Sequence, residues 1–325
     1  MRSAIIDPVF GMPGRGEEAL TISYRGQSFY FCSELCKQAF LAHPEQYSGE
    51  TRVRASDEID TRRRIAYFSM EVAADPRMPT YSGGLGILAG DTLKSCADLK
   101  IPLVAVSLLY SKGYFDQKLD EWGNQQEFPV AWEPSRFVRL LPITVRVPIE
   151  NRSVVVRAWQ YDITGYTGYS VSLILLDTNV DENAPPDREL TAFLYGGDER
   201  YRLAQEIILG MGGVRMLRAL GYNQLERFHM NEGHASLLVL ELLRERRGQG
   251  AEEWDFHGVR SRCVFTTHTP VPAGHDQFSY DLVKGVLGET IPVEMVQMLG
   301  GKNRLNMTLL ALNLSRYVNG VAKRH

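Results

Sequence analysis

The sequence contains no apolar run near the roughly 20 residues that a membrane-spanning helix requires. That argues against an integral helical membrane protein. Cysteine is scarce, four in 325 residues, so no disulfide framework is expected and a reducing cytoplasm is the expected home. Neither sign of charge dominates: 36 Lys and Arg stand against 39 Asp and Glu, a net charge of −3. No nucleic acid and no anionic membrane surface is therefore expected as partner. Met1 to Pro8 lacks the apolar core of a secretory signal, and neither an internal repeat nor a low-complexity segment occurs. What remains is ordinary for a globular protein with a real core, 44% hydrophobic and 23% charged residues. The length suits two domains, or one large α/β domain with a small appendage.

Residues 1–50 read as a separate small module, followed by a polar, charge-mixed linker at 51–61. Leu20 to Tyr24 and Gln27 to Phe31 flank Arg25-Gly26 as a hairpin pair, and Cys32 to Phe40 reads as a short helix ending before Pro44. Cys32 and Cys36 are four apart, on one helical face, and have the softness to be two thiolate ligands. A closed zinc site wants about four ligands, and the nearby histidine is His43. The alternative is that both cysteines are small buried core residues.

From residue 62 onward strand and helix patterns alternate, which predicts a doubly wound α/β sheet. Arg64 to Met70 reads as a buried first strand with Glu71 at its carboxyl end, and Ile101 to Leu109 as a parallel strand covered on both faces. Gly113 to Gln117 and Gln125 to Glu127 bracket a hairpin. Three β-rich runs, Leu140 to Ile149, Ser153 to Tyr161 and Tyr169 to Leu175, predict an antiparallel excursion inserted in the sheet domain. Glu199 to Leu220 reads as one long helix closed by Gly221 and weakened in its middle by Gly210, Gly212 and Gly213. Met307 to His325 is expected to be helical.

The stretch that organises the chain is Thr80 to Gly90, with Gly83, Gly84 and Gly86 leading into a helical apolar rhythm at Ile87, Leu88 and Leu93. A glycine turn that opens a helix presents unpaired N–H groups and the positive end of the macrodipole, so it favours anions. Its glycines are also expected to permit positive φ. The competing reading is a tight turn whose glycines solve a steric problem only. Two more polar loops, Asn231 to His234 and His268 to Asp276, follow strand-like segments and join it at the carboxyl edge of the sheet, where such folds bind ligands. Taken singly each has a plain explanation: Glu232 suits a helix start, and His234 suits a satisfied core histidine.

Two resemblances follow from longer motifs. Asp7-Pro8-Val9-Phe10-Gly11-Met12, the Tyr30-Phe31-Cys32 run, Cys32 with Cys36, and Pro44 to Tyr47 resemble a YHS domain. Such modules hold metal through cysteines, one of them at the position occupied here by Phe10, so zinc is expected to bind weakly or not at all. Residues 62–325 resemble the α-glucan (glycogen/maltodextrin) phosphorylases, N-terminal half. The residues that carry the likeness are Arg64 to Glu71, Tyr81 to Asp91, His229-Met230-Asn231-Glu232-Gly233-His234, Phe265 to Asp276, and Arg316 to His325. Glycogen and starch synthases share the general plan, but the last-named runs favour phosphorylase.

The phosphorylase resemblance implies an α/β Rossmann-like N-terminal domain of a glycosyltransferase-B type fold. It implies transfer of a glucosyl unit from an α-1,4-glucan or maltooligosaccharide to inorganic phosphate, giving glucose 1-phosphate. Pyridoxal phosphate is the implied cofactor, but its lysine belongs to the family's second half. None of the eight lysines here matches that motif, so the isolated chain is expected to be inactive, working as part of a homo-oligomer or with a complementary C-terminal half. By motif, His268 is the catalytic-site residue contacting the glucosyl unit. Gly83, Gly84 and Leu85 face phosphate with their amides, and Asn231, Glu232 and His234 line the sugar pocket. A non-catalytic glucan-binding or metal-responsive protein that kept half the fold is the alternative.

Overall fold

A computed structural model describes residues 20–24, 27–31, 34–42, 44, 59–130, 132–248, 253–268, 271, 274–288 and 291–323. The chain divides into two compact units, residues 1–58 and 59–325.

In the small unit β1 (Leu20–Tyr24) pairs antiparallel with β2 (Gln27–Phe31), Leu20 opposite Phe31, and a helix follows at Glu34–Ala42. Its core is Phe31, Cys36 and Phe40, with the Phe29 and Phe31 rings 4.8 and 5.1 Å from that of Phe40. Cys36 is fully buried in this aromatic cluster. The Asp7 to Met12 run, Cys32, His43 and the linker up to residue 58 lie outside the described residues. No group of three metal-ligating side chains occurs among the described ones.

The large unit is built on strands β3 (Ile65–Ser69), β4 (Leu103–Leu108), the exposed hairpin β5 (Asp116–Leu119) and β6 (Gln125–Phe128), then β7 (Arg139–Ile149), β8 (Arg152–Thr164), β9 (Ser170–Asp177), β10 (Arg227–Asn231) and β11 (Cys263–Thr267). Short β12 (Gln277–Ser279), β13 (Arg304–Asn306) and β14 (Tyr317–Gly320) complete it. Eight of these form one sheet in the order β14-β11-β10-β3-β4-β9-β8-β7. The run from β14 to β9 is parallel throughout, and β8 and β7 continue it antiparallel.

Strand side chains alternate between faces, and here both faces are dry. Ala66, Phe68, Val104, Val106, Ile174 and Leu176 enter one core layer, while Tyr67, Leu103, Ala105, Leu173 and Leu175 enter another. That double burial explains the unbroken apolar run of β4, all six residues of which are buried. The helix Gly84–Asp98 covers the second layer through Ala89, Leu93 and Ala97. The segment from Glu199 to Ala219 covers the first. Among the described residues no helix is long and apolar enough to cross a membrane.

Three expectations need correction. The antiparallel runs are no separate insertion: β9 pairs parallel with β4, so β7 and β8 extend the main sheet at its edge. A two-residue turn whose central residues, Glu150 and Asn151, both have positive φ makes this hairpin, the conformation that matches strand twist. The segment from Met307 is helical only to Asn313. Leu314 leaves helical geometry, the Asn313 side chain donates to the Leu299 carbonyl, and Arg316 N bonds Cys263 O, starting β14 alongside β11. The third concerns the glycines, taken up below.

The long helix is present, with a π-turn at Ile208–Gly212 between the α-helical Glu199–Ile207 and Gly213–Ala219. Its glycines serve close approach. A Cβ on Gly210 would lie 2.6 Å from the Leu238 backbone nitrogen, and one on Gly213 would lie 2.7 Å from the Phe68 ring. Gly221, at φ 90°, closes the helix as expected.

Candidate active site at the switch point of the sheet

β3 and β10 are neighbours, yet from β3 the chain moves to β4 on one side and returns to β10 on the other. The connections beyond their carboxyl ends therefore diverge, and the crevice at such a point is where open α/β sheets hold ligands. Register places Ser69, Asn231 and Thr266 side by side on β3, β10 and β11 at that edge.

Hydrogen bonding there assigns itself. Ser69 Oγ donates its hydrogen to the Glu71 carbonyl at 2.6 Å, so it must accept from Asn231 Nδ2 at 3.1 Å. Asn231 Oδ1 is left facing His268 Nε2 at 2.6 Å, which makes Nε2 the protonated nitrogen of that imidazole. Glu232 ties the two loops together. Its Oε2 accepts from the His268 backbone nitrogen at 2.6 Å and its Oε1 from the Gly233 nitrogen at 3.0 Å. Burial raises its pKa, more than these two N–H groups lower it. Glu232 also sits at φ 74°, a region costly for a residue with a side chain. On the same edge His229 Nε2 meets Thr266 Oγ1 at 2.8 Å, and burial, with the nearby His268, pushes its pKa down to about 4.

His234 stands with a second group. Burial pushes its pKa down to about 3, helped by the charge of Arg202, so the ring is neutral. Its Nε2 lies 3.0 Å from Arg202 Nη2 and accepts from it. The hydrogen is then on Nδ1, which is buried and has no partner among the described residues. Arg202 lies over the Tyr195 ring, 4.4 Å from its centroid, and its Nε donates to Asp276 Oδ2 at 2.9 Å. Arg202 and Asp276 form part of the wall of a cavity of about 450 Å³, together with Tyr195, Asp198, His275 and Arg304.

The glycine loop joins this group through Glu71. One carboxylate oxygen accepts from the Ser82 nitrogen at 2.7 Å and from the Gly83 nitrogen at 3.1 Å, and the other accepts from the Tyr195 hydroxyl. An internal carboxylate thus occupies the first amides of the turn, Gly83 among them. The next two, Gly84 and Leu85, open the helix and have no acceptor among the described residues. Positive φ is not the reason for the glycines: Gly83 has φ −147° and Gly84 is helical. A Cβ at Gly83 or Gly84 would meet nothing within 4 Å, so this face is open. Gly86 and Gly90 are packing positions instead, with a Cβ on Gly90 falling 2.1 Å from the Ala73 carbonyl oxygen.

The seven residues singled out in the large unit lie at or just beyond the carboxyl ends of these strands: Gly83, Gly84 and Leu85 where the helix after β3 begins, Asn231 as the last residue of β10, Glu232 and His234 in the turn after it, and His268 directly after β11. Sequence reasoning passed over Ser69, Tyr195, Arg202 and Glu206 and gave Glu71 no role. The available signals were Glu71 directly after a buried strand, and Arg202 and Glu206 one turn apart, at the spacing of an ion pair, just ahead of the apolar run Ile207 to Leu209.

Comparison with known proteins agrees in both units. Residues 5–51 match the YHS domain family. The chain is 40% identical over 273 residues to maltodextrin phosphorylase of Thermococcus litoralis, covering 80% of this chain and 32% of that protein. It is 40% identical over 291 residues to glycogen phosphorylase of Mycobacterium tuberculosis, covering 80% and 33%. Against glycogen phosphorylase of Aquifex aeolicus the identity is 33% over 293 residues, covering 84% and 41%. The chain spans about one third of the length of the first two relatives. It joins an amino-terminal YHS domain to a segment homologous to the glycogen and maltodextrin phosphorylases.

Proposed function

We propose that residues 59–325 are the glucosyl-binding half of an α-glucan phosphorylase, with a Rossmann-like sheet of the glycosyltransferase-B type. The reaction is transfer of a terminal α-1,4-linked glucosyl unit to inorganic phosphate, giving glucose 1-phosphate. One observation carries the reading: Asn231, Glu232 and His268 are interlocked by hydrogen bonds at the switch point, beside a glycine-opened helix that presents two unclaimed amides. Asn231 and Glu232 fix the His268 ring and backbone, so the imidazole reaches a hexose as a rigid group rather than a mobile one. Gly84 and Leu85 supply N–H groups and a helix N-terminus suited to an anionic oxygen. Neutral His234, hydrogen-bonded to the wall residue Arg202, lies behind the pocket wall with one buried, unpartnered Nδ1–H among the described residues.

Pyridoxal phosphate, implied for the family, would supply a phosphate group that exchanges a proton with the substrate phosphate. The open amides of Gly84 and Leu85 suit an anion, but among the described residues no lysine takes part in a contact of this cluster, and Arg202 is already turned to Asp276 and His234. The residues present do not fit the aldehyde end of that cofactor. The chain by itself is accordingly expected to bind sugar without releasing glucose 1-phosphate.

The test is titration of the purified chain with maltoheptaose, followed by imidazole NMR and calorimetry. Saturable binding that perturbs the His268 and His234 rings and is lost in Asn231→Ala supports the reading. Absence of any binding, with the fold intact by circular dichroism, refutes the sugar pocket. A borohydride-stable pyridoxal adduct on this chain would refute the expected lack of cofactor fit.

A further inference from the structure

Behind the cavity wall lies an acid that none of the preceding chemistry uses. Glu206 is completely buried, and neither of its carboxyl oxygens has a hydrogen-bond donor among the described residues. Arg202, one turn earlier on the same helix, comes within 3.3 Å of Glu206 Oε1, but its Nε–H is spent on Asp276 Oδ2 at 2.9 Å. An ionised carboxylate with no donor is among the most costly groups to bury. A carboxylic acid in the same place has one O–H to give, and Asp276, whose Oδ2 flanks the same Arg202 Nε as Glu206 Oε1, is the acceptor at hand. The other titratable groups facing this corner are Tyr110, beyond the end of β4, Glu232 and His275 on the Asp276 side, and, through Arg202, Tyr195 and His234 with His268 beyond it.

We propose that Glu206 carries a proton at neutral pH and donates it to the Asp276 carboxylate, making it the positioning residue that fixes Asp276 and Arg202 in the cavity wall and, through Arg202, His234 behind it. Asp276 then receives two donors, Glu206 O–H and Arg202 Nε–H, and stays ionised. Arg202, anchored at Nε, turns Nη2 to His234 Nε2 and so selects the tautomer that points Nδ1–H away from it. Protonation states agree with the geometry. Burial and then the Asp276 charge raise the pKa of Glu206. For Asp276 burial acts upward too, but the bond from Glu206 and the charge of Arg202 outweigh it and the pKa falls. That the wall belongs to a sugar pocket rests on the reading above; the acid pair itself does not.

A protonated acid makes a pH signature that a merely structural side chain lacks. Its folded-state pKa lies above the unfolded value, so its stabilisation is complete below the unfolded pKa and is lost as pH rises toward the folded one. Glu206→Gln keeps an N–H donor for Asp276 and removes the proton. Wild type should therefore lose stability relative to Glu206→Gln on going from mildly acidic to mildly alkaline pH, with a limiting slope of about one proton per molecule. Infrared difference spectra of the wild-type chain at neutral pH should contain a carboxylic-acid carbonyl band that Glu206→Gln lacks. Imidazole NMR should show the His234 ring unchanged in Glu206→Gln and shifted in Glu206→Ala. In maltoheptaose titrations Glu206→Gln should bind like wild type and Glu206→Ala about tenfold more weakly, the loss expected when one buried donor is removed.

If Glu206→Ala does not fold, the infrared band and the Glu206→Gln pH comparison still decide. A neutral-pH spectrum in which Glu206→Gln removes no acid band, or parallel pH–stability curves for the two proteins, overturns the proposal. Maltoheptaose failing to bind the wild type, with the acid band and pH signature present, overturns the sugar-pocket reading and leaves the acid pair standing.

Discussion

Replacing Glu71 by alanine removes the single acceptor shared by two loop amides and the Tyr195 hydroxyl. Glu71 is 3% exposed. Hydrogen bonds to a charged group contribute about 1.5–3 kcal/mol each. The three are not worth that sum, because Ser82 and Gly83 are exposed and water replaces the carboxylate at both. Only the largely buried Tyr195 hydroxyl is stranded, so the expected loss is about 3 kcal/mol, one charged bond plus a stranded donor. Glu71→Gln keeps one acceptor oxygen and the packing against Gly86, and should cost about 1 kcal/mol. All four tryptophans lie between residues 122 and 254, so urea unfolding followed by tryptophan fluorescence reports this unit alone. A second readout is independent of packing. With the carboxylate gone, two more amides and a less negative field are open to anions, so added phosphate should stabilise Glu71→Ala more than wild type. If Glu71→Ala unfolds within about 1 kcal/mol of wild type, the carboxylate is not the anchor of the loop, and the reasoning fails.

Glycine replacements should separate packing from openness: Gly90→Ala is expected to destabilise by about 2–3 kcal/mol, since its Cβ meets the Ala73 carbonyl, whereas Gly84→Ala should be neutral or slightly stabilising. Equal effects in urea unfolding would contradict the assignment. Stability should be level above about pH 6.5 with respect to His229 and fall as pH drops toward about 4, because the unfolded chain takes up the proton first. The shift corresponds to about 3 kcal/mol, and the fall should be reduced by that amount in His229→Asn. Cys36→Ser should destabilise the small unit by placing a hydroxyl among Phe31 and Phe40, equally with and without added zinc. A zinc-dependent difference in its melting would argue for a metal ligand instead.

The sheet was legible where burial leaves a composition: β4 is apolar at every position because both faces are covered, and the loops that end β3, β10 and β11 carry residues that no core would choose. The group around Arg202 was not legible. Tyr195 meets Glu71 across 124 residues of sequence, and that meeting is decided by the order of strands rather than by any local pattern. Strand β14 was missed for a different reason. It is a four-residue edge strand with three exposed positions, and the helical rhythm of Met307 to Leu314 runs straight up to it. The amides of the glycine turn were read as vacant, because nothing in a sequence reveals that a neighbouring carboxylate has folded back onto them.

The π-turn at Ile208–Gly212 has a consequence for the phase of its helix. An α-helix advances about 100° per residue, so one extra residue would ordinarily swing everything after it onto a different face. A π-turn absorbs the extra residue locally and hands the original phase on. Arg202 and Glu206 before it, and Met216 and Leu217 after it, therefore keep the faces they would have in a helix one residue shorter. Deleting Met211 should then heal the backbone into continuous α-helix with both faces in place. This buried helix would thus tolerate a single-residue deletion at one point along its length and at few others.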